Sequence, residues 1–373
     1  MVTHLNSYFL TNSLHQVLVT KLTERGIRQH VFVPVEKGPE VPLALELEGA
    51  SLSLNPCFTN WQRRLWPVKM FNLWINYKTD RKHHPPTLHH AHSLIVNGLV
   101  AYHAKRRFGT PYIVTVRNTD CGVFLAKSRF FRWMAAKVLD DAEAVITLSP
   151  VWWNHHIPQY FSEEQIEKWS RKHHLIPNGC DDYWLTNASE GYLLEDQLEI
   201  LFVGRLTPNK NVGGLFDAIG HLQHRGLQCH VTIVGSGPHE EELRRRARKL
   251  PVSFRGWVDD RRSLLELYRS AHVLAVPSLT ESFGVVYAEA LSQGLPVVYS
   301  ERQGFDGFFE DGIVGHAVNP KDPADIAYAI ERIGSKHSQF SKRAREHADA
   351  FQWDPSVGRL VRLYERVTGE EGA

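Results

Sequence analysis

The sequence contains no Cys-x-x-Cys pair, and its four cysteines, Cys57, Cys121, Cys180 and Cys229, stand far apart. That excludes the common redox and zinc spacings and reads as reduced thiols in a cytoplasmic protein. Long apolar runs are lacking too, since nothing approaches the roughly 18 consecutive apolar residues needed to span a bilayer. The start, Met1-Val-Thr-His-Leu-Asn-Ser7, does not run from basic to apolar as a signal peptide does. Charge of one sign is missing: 43 Lys and Arg against 41 Asp and Glu leave a net +2, which gives no reason to expect a nucleic-acid partner. No Asp-x-Asp occurs. Asp181-Asp182 and Asp259-Asp260 are adjacent pairs whose side chains point apart, so no divalent ion is implied and no metal is expected to be required. Tandem repeats and low-complexity tracts are absent as well.

What is present, 373 residues of which 43% are hydrophobic, can bury two cores and is too long for one typical domain. Strand-like and helix-like stretches alternate, which predicts an α/β fold of parallel sheets covered by helices. In the first half, strands are predicted at residues 2–5, 30–35, 88–90, 112–116 and 144–148, with a helix around 13–25. Pro177-Asn-Gly179 closes this first domain, residues 1–180. The polar stretch 181–197 reads as an inter-domain connection, residues 198–350 as a second domain, and residues 351–373 as a last helical segment with Phe351, Trp353, Val357, Leu360, Val361 and Tyr364.

The segment Glu281-Ser-Phe-Gly-Val-Val-Tyr-Ala-Glu289 sets two carboxylates around one predicted helix N-terminus. Gly284 allows close approach of a ligand, and the amides of Phe283, Gly284 and Val285 would be free donors for a phosphate or a sugar hydroxyl. Glu289 lies about 7 Å further along, at about 1.5 Å per residue, among Ala288, Ala290 and Leu291. A carboxylate there needs a donor, which the two hydroxyls of a ribose would supply. The plain alternative is a capping acid and a solvated or salt-bridged helix residue. Upstream, Arg205 and Lys210 bracket a strand-to-helix turn at the carboxyl end of a sheet, where ligands of such folds bind. Together they could neutralise a departing diphosphate without a metal, and for either alone solvated surface charge is the competing reading.

The 21 histidines invite a metal reading, chiefly at His89-His90-Ala-His92. On a strand His90 and His92 share a face and His89 points away, so at most two ligands are supplied where zinc needs three or four. His92 at the strand end, lining a cleft, is the better functional reading. In Val234-Gly-Ser-Gly-Pro-His-Glu240 the third glycine of the dinucleotide fingerprint is missing, which argues against a nicotinamide dehydrogenase. The stretch from Trp61 to His84 mixes tryptophan with basic residues, as helices lying on an anionic membrane do. It could equally pack its aromatics into the first domain.

Taken in order, Gly204-Arg205 with Lys210-Asn211, Val231-Thr-Ile-Val-Gly-Ser-Gly237, Phe254-Arg-Gly-Trp-Val258, the Glu281/Glu289 segment and Gly294-Leu-Pro-Val-Val298 resemble the family 4 retaining glycosyltransferases of the GT-B fold. These motifs cover most of residues 198–330. More softly, His4-Leu-Asn-Ser-Tyr8, His90-Ala-His92-Ser, Pro111-Tyr-Ile-Val-Thr-Val-Arg117-Asn-Thr-Asp120, Val145-Ile-Thr-Leu-Ser149 and Ile176-Pro-Asn-Gly179 resemble a branch found among bacterial polysaccharide glycosyltransferases. The resemblance implies two Rossmann-like domains facing a central cleft, acceptor on the first and nucleotide sugar on the second, with the last helix crossing back to the first. The alternative is a terminal helix packed on the second domain.

It also implies transfer of a glycosyl group, with retention, from a nucleotide sugar (UDP-sugar favoured, GDP-sugar the other choice) to a saccharide or lipid-linked saccharide. Such a protein would be cytoplasmic and, if the Trp61–His84 stretch meets lipid, peripheral at the inner membrane face. No cofactor beyond the co-substrate is implied. Arg205 and Lys210 would stabilise the leaving diphosphate, Glu281 would bind donor sugar hydroxyls and Glu289 the ribose. Gly204, Gly235, Ser282, Phe283, Gly284 and Val285 would line the donor, and backbone around Arg255 to Val258 would meet the base. Asn6, Asn12, His92, Arg117 and Asp120 would face the acceptor. Two departures stand out: Asn6 to Asn12 replaces a common Gly-Gly loop, and Arg117 fills the slot of a family histidine that contacts the donor sugar. Arg117 could bind phosphate, bind an acidic acceptor, or pair with Asp120 as a clamp. A nucleotide-sugar epimerase of the same fold and a silent carbohydrate-binding scaffold are the competing functions.

Overall fold

Short apolar runs punctuated by Gly, Pro and Asn become buried parallel strands in a computed structural model, which describes residues 1–11, 13–38, 49–188 and 197–369. The chain forms two units. One comprises residues 1–148, 152–177 and the chain from Trp353, and the other residues 149–151 and 178–352.

The first unit holds strands β1 (Val2–Leu5), β2 (Gln29–Glu36), β3 (Ala50–Phe58), β4 (Leu88–Ala91), β5 (Tyr112–Val116), β6 (Ala144–Thr147) and β7 (His173–Leu175). They make one parallel sheet in the order β3-β2-β1-β4-β5-β6-β7. Two of them, β3 and β7, escape a sequence reading because they are edge strands with partly exposed residues: Ser51, Ser53 and Asn55 interrupt one, and His173-His174 opens the other. In the register of β1 with β4, His4 stands opposite His90, which brings two histidines far apart in sequence onto neighbouring strands. The helix Trp353–Thr368 belongs to this unit. Its Trp353, Val357, Leu360 and Leu363 share a buried cluster with Val2, Leu22, Leu88 and Ile113. Burial of each Val or Leu contributes about 1.5–3 kcal/mol, and Tyr364 adds a hydrogen bond to His90 Nδ1 at 2.7 Å.

The second unit repeats the plan with β8 (Leu198–Val203), β9 (Cys229–Val234), β10 (Val252–Gly256), β11 (Val273–Val276), β12 (Val297–Ser300) and β13 (Gly315–Val318), all parallel in the order β10-β9-β8-β11-β12-β13. The stretch 181–197 is not simply a connection. Asp181 accepts a bond from the Tyr183 amide at 2.9 Å and caps the helix Asp182–Thr186, whose Trp184 is buried in the second core. Residues 189–196 lie outside the described residues. Among the described residues no helix is long and apolar enough to cross a membrane.

Candidate active site

In the second unit the site grows from loops at the carboxyl ends of β8 and β11. After β8 the chain passes Gly204, and a Cβ built on Gly235 after β9 would stand 2.0 Å from the Gly204 carbonyl oxygen. A Cβ on Gly237 would stand 2.3 Å from the carbonyl oxygen of Leu206. Glycine is therefore required where these two loops cross. The Gly204 amide donates to Val234 O at 3.0 Å and the Gly235 amide to Gly256 O at 2.7 Å, so both glycines, expected as donor contacts, have amides committed to packing the loops.

Two asparagines that the sequence reading passed over then fasten the β8 loop to the β11 loop. Asn209 Nδ2 donates to Thr280 O at 2.7 Å and its Oδ1 accepts from the Thr280 amide at 3.0 Å. Asn211, in the left-handed region at φ 52, donates from Nδ2 to Pro277 O at 3.1 Å and Pro320 O at 2.6 Å. These bonds place Lys210 Nζ 2.5 Å from Glu281 Oε2, with both side chains mostly buried. Glu281 Oε1 accepts from the Ser282 amide at 3.0 Å. The expected free cation and free carboxylate are thus an ion pair, while Arg205 is exposed and has no side-chain partner among the described residues. Behind the turn, Gln303 Oε1 accepts from the Glu281 amide at 3.0 Å, and a Cβ on Gly304 would fall 2.4 Å from the Phe283 nitrogen.

The helix Val285–Ser292 starts at Gly284, which sits in the left-handed region at φ 81. A Cβ on Gly284 would stand 2.4 Å from the Tyr287 ring, and that tyrosine's hydroxyl anchors the helix to Val276 O at 2.7 Å. Among the described residues no acceptor engages the amides of Phe283, Gly284 or Val285. The Phe283 ring itself is core, packed edge-on to Phe308 and Phe351, so only its backbone is available to a ligand. Val285 is likewise packed against the core.

Glu289 follows on the same helix. Its Oε2 accepts from the buried Tyr268 hydroxyl at 2.7 Å, whereas Oε1 has no partner among the described residues. Burial pushes its carboxyl up to about 7, against the Tyr268 bond; Asp181 adds to the rise and Arg261 opposes it. One oxygen is held and the other is open to accept from a hydroxyl. On β10 and beyond, Arg255 and Trp257 are exposed and Val258 packs partly into the core.

The acceptor-side residues divide differently. Asn12 lies outside the described residues. Asn6 is buried, and its Oδ1 accepts from the Tyr8 amide at 3.0 Å in a local turn. Asp120 is fully buried: Oδ2 accepts from the amides of Leu94 at 2.9 Å and Arg117 at 3.0 Å, and Oδ1 from Ile95 at 3.1 Å. It satisfies amides leading into the helix Val96–Phe108 and presents nothing to an acceptor, a correction that rests on partners 25 and 26 positions away in the sequence. Burial raises its carboxyl to about 6, against those amide bonds. Arg117 is clamped through its backbone, and its Nε donates to His92 O at 2.8 Å while the guanidinium lies over the Tyr8 ring at 5.7 Å.

His92 is no cleft-lining group either. His4 Nδ1 and His92 Nε2 are 2.9 Å apart, His4 Nε2 meets Gln29 Oε1 at 2.9 Å, and His90 Nε2 meets Thr115 Oγ1 at 2.8 Å. His90 and His92 stack at 4.0 Å, and His15 stands edge-on to His92 at 5.0 Å. Burial lowers His4 to about 4 and His15 to about 2, and it holds His90 and His92 well below the usual range. His90 and His92 are the two ligands expected of this stretch, and β1 adds His4, so that three ligand atoms lie within 4.8 Å of one another.

A family model described as "Glycosyl transferase 4-like domain" matches residues 16–179, and one described as "Glycosyl transferases group 1" matches residues 197–336. A curated relative, D-inositol 3-phosphate glycosyltransferase of Geodermatophilus obscurus, is 37% identical over 194 residues, covering 48% of this chain and 42% of that protein. The chain spans about half the length of the curated relatives it matches. Among solved structures, sucrose-phosphate synthase from Thermosynechococcus elongatus superposes with a TM-score of 0.78 at 21% identity, covering 99% of both chains. Anabaena HepE in complex with UDP and glucose gives 0.72 at 17% identity, covering 98% of this chain and 99% of that one. At these identities the likeness is one of fold.

Proposed function

Because the chain belongs to the GT4-type glycosyltransferases with the GT-B fold, we propose that it moves a sugar from a nucleotide sugar to a saccharide acceptor, with retention at the anomeric carbon and without a required metal. The observation that carries this is one helix, Val285–Ser292, with three unengaged amides at its start and a half-satisfied carboxylate, Glu289, further along. A phosphate or sugar oxygen suits the amides, and a ribose hydroxyl suits Glu289 Oε1. Lys210 and Arg205 supply cationic charge to the leaving diphosphate. At 4 Å and an effective dielectric near 20 one charge pair is worth roughly 4 kcal/mol, and a third of that gained only in the transition state is about tenfold in rate. No side chain is assigned as a nucleophile. In a same-face substitution the acceptor oxygen bonds to the anomeric carbon as the bond to the diphosphate breaks, and a phosphate oxygen takes the acceptor proton. Of the acceptor-side residues, Arg117 keeps a role in this proposal.

UDP is the favoured donor nucleotide, in keeping with the UDP held by the HepE structure. A thermal-shift panel of UDP-, GDP- and ADP-sugars tests it, each near 100 times its dissociation constant, where binding adds about 2.7 kcal/mol. One nucleotide class should raise the melting temperature by an increment that EDTA leaves unchanged, and Glu289→Ala should shrink that increment whatever the sugar. Equal affinity in wild type and variant would remove the ribose assignment. NMR of the product must show the donor's anomeric configuration, and conversion of the donor without any acceptor would point to the epimerase.

We further propose that the acceptor is presented at a membrane surface. Leu73 and Tyr77 of the helix Trp66–His83 are buried and Trp74 packs against them, but Trp61 is 60% and Phe71 63% exposed. Phe130 and Trp133, 55% and 58% exposed, belong to the helix Arg129–Asp141, and Phe130 meets Trp66 at 6.3 Å. The exposed Lys127, Arg129 and Lys137 accompany these rings, and each basic residue near an anionic surface contributes about 1 kcal/mol. The protein should cosediment with vesicles containing phosphatidylglycerol and less with neutral ones. Trp61→Ser combined with Phe71→Ser should release it, and undiminished cosedimentation would dismiss this face.

A further inference from the structure

Two clusters in the first unit offer three ligating side chains within 4.8 Å, and they differ in how far protein groups already satisfy them. In His4–His90–His92, both nitrogens of His4 and both of His90 have protein partners. The second cluster is His30, Asp80 and His84. His30 Nδ1 meets Ser51 Oγ at 2.8 Å, which fixes the ring and turns Nε2 toward Asp80 Oδ2 at 3.0 Å and Ser53 Oγ at 3.2 Å, so the unsatisfied atom of this cluster is on His84. His84 Nδ1 is 3.6 Å from Asp80 Oδ1, too far for a hydrogen bond, and is buried with no hydrogen-bond partner. A buried polar atom left in that state costs about 1–3 kcal/mol. The His84 side chain as a whole is 34% exposed, so solvent reaches the cluster from its side.

We propose that His30 Nε2, the Asp80 carboxylate and His84 Nδ1 bind a divalent ion of the zinc class, with water completing the coordination from the open side. Two imidazoles and a carboxylate suit such an ion. Ligand bonds of about 2.0–2.1 Å in a tetrahedron set ligand atoms about 3.3 Å apart; one atom from each residue already lies within 4.8 Å of the others, with His30 Nε2 at 3.0 Å from Asp80 Oδ2 and His84 Nδ1 at 3.6 Å from Oδ1, so the carboxylate would turn to offer one oxygen to both rings. The rings of His30 and His84 stack at 3.9 Å and 7°, so the ion would tilt His84 to aim its lone pair. His84 caps the end of its helix and is free to turn on its open side. Entry of the ion releases to solvent the proton between His30 Nε2 and Asp80 and replaces the Ser53 hydroxyl contact on Nε2, and the Ser51 contact keeps His30 oriented.

His30 is the second residue of β2, and Asp80 and His84 precede β4, so the cluster lies at the amino ends of the parallel strands. Arg117 follows β5 at the opposite, carboxyl end of the sheet. The ion would pin the helix end to β2, with no part in sugar transfer.

The test uses full-length, tag-free protein stripped with EDTA and titrated with Co²⁺, then Zn²⁺. One equivalent of Co²⁺ should give the visible d–d band of a four- or five-coordinate ion, Zn²⁺ should displace it, and Zn²⁺ should raise the melting temperature. His84→Ala and the near-isosteric Asp80→Asn should each weaken binding by about tenfold or more, and His84→Ala should melt in EDTA as wild type does. Wild type without a band or a Zn²⁺ shift would overturn the proposal. So would variants that bind like wild type, which would put the ion on another histidine cluster.

Discussion

Acidification from about pH 7.5 to about pH 5.5 is expected to destabilise the first unit steeply, with β1 and β4 losing amide protection ahead of the second sheet. His4, His15, His89, His90 and His92 are buried, and burial holds each below the usual histidine range, His4 at about 4, His89 at about 3 and His15 at about 2. Such rings are neutral when folded and take up protons when unfolded. Their contribution is complete above about pH 6.5 and is lost as the pH falls from there toward the folded values. Each ring accounts for about 1.4 kcal/mol per pH unit, so five give about 7 kcal/mol, against a total stability of about 5–15 kcal/mol. Asp120 works the other way, because a carboxyl raised to about 6 regains stability as it protonates. One such carboxyl offsets about half of one ring over that range. Urea unfolding and peptide-level hydrogen exchange across the pH series measure the slope. A flat profile would mean that water already reaches the rings.

Lys210→Ala is expected to lower kcat about ten- to a thousandfold with the fold intact, the loss typical of one charge-stabilising group. The 2.5 Å contact with Glu281 adds a sharper expectation. If Glu281 acts by aiming Lys210, Glu281→Gln slows the enzyme and the double variant is no slower than Lys210→Ala. If Glu281 binds the donor sugar on its own, the two losses multiply. Partners in direct contact do not behave additively, so the geometry favours the first outcome. Turnover of Lys210→Ala equal to wild type would end the diphosphate role.

The second unit was legible because its motifs are local. A strand, a glycine turn and a helix follow one another within residues 273–292, and apolar runs such as Val273–Val276 show themselves. What stayed hidden is long-range. Lys210 and Glu281 were each found, but their pairing depends on Asn209 and Asn211, two ordinary loop residues whose amides bond across 71 and 66 positions. The first unit hid more. Along one strand its histidines supply two ligands, and the register of His4 with His90 adds a third from another. Asp120 is expected from its motif to face the acceptor or to clamp Arg117, yet amides from a different loop engage both of its oxygens. Polar residues on edge strands likewise concealed β3 and β7.

The helix Trp353–Thr368 has a bearing on biosynthesis. The bond from Tyr364 to His90 closes a span of 274 positions, and Trp353 and Val357 complete the cluster around Val2 and Leu88. On the ribosome the first sheet can collapse early, but it keeps one apolar face uncovered while the whole intervening unit is made. The strand that carries His90 therefore waits for a residue made 274 positions later. A nascent chain halted between the units would be a client for chaperones, and a stop codon just ahead of Trp353 would harm a unit whose strands are all encoded upstream of it.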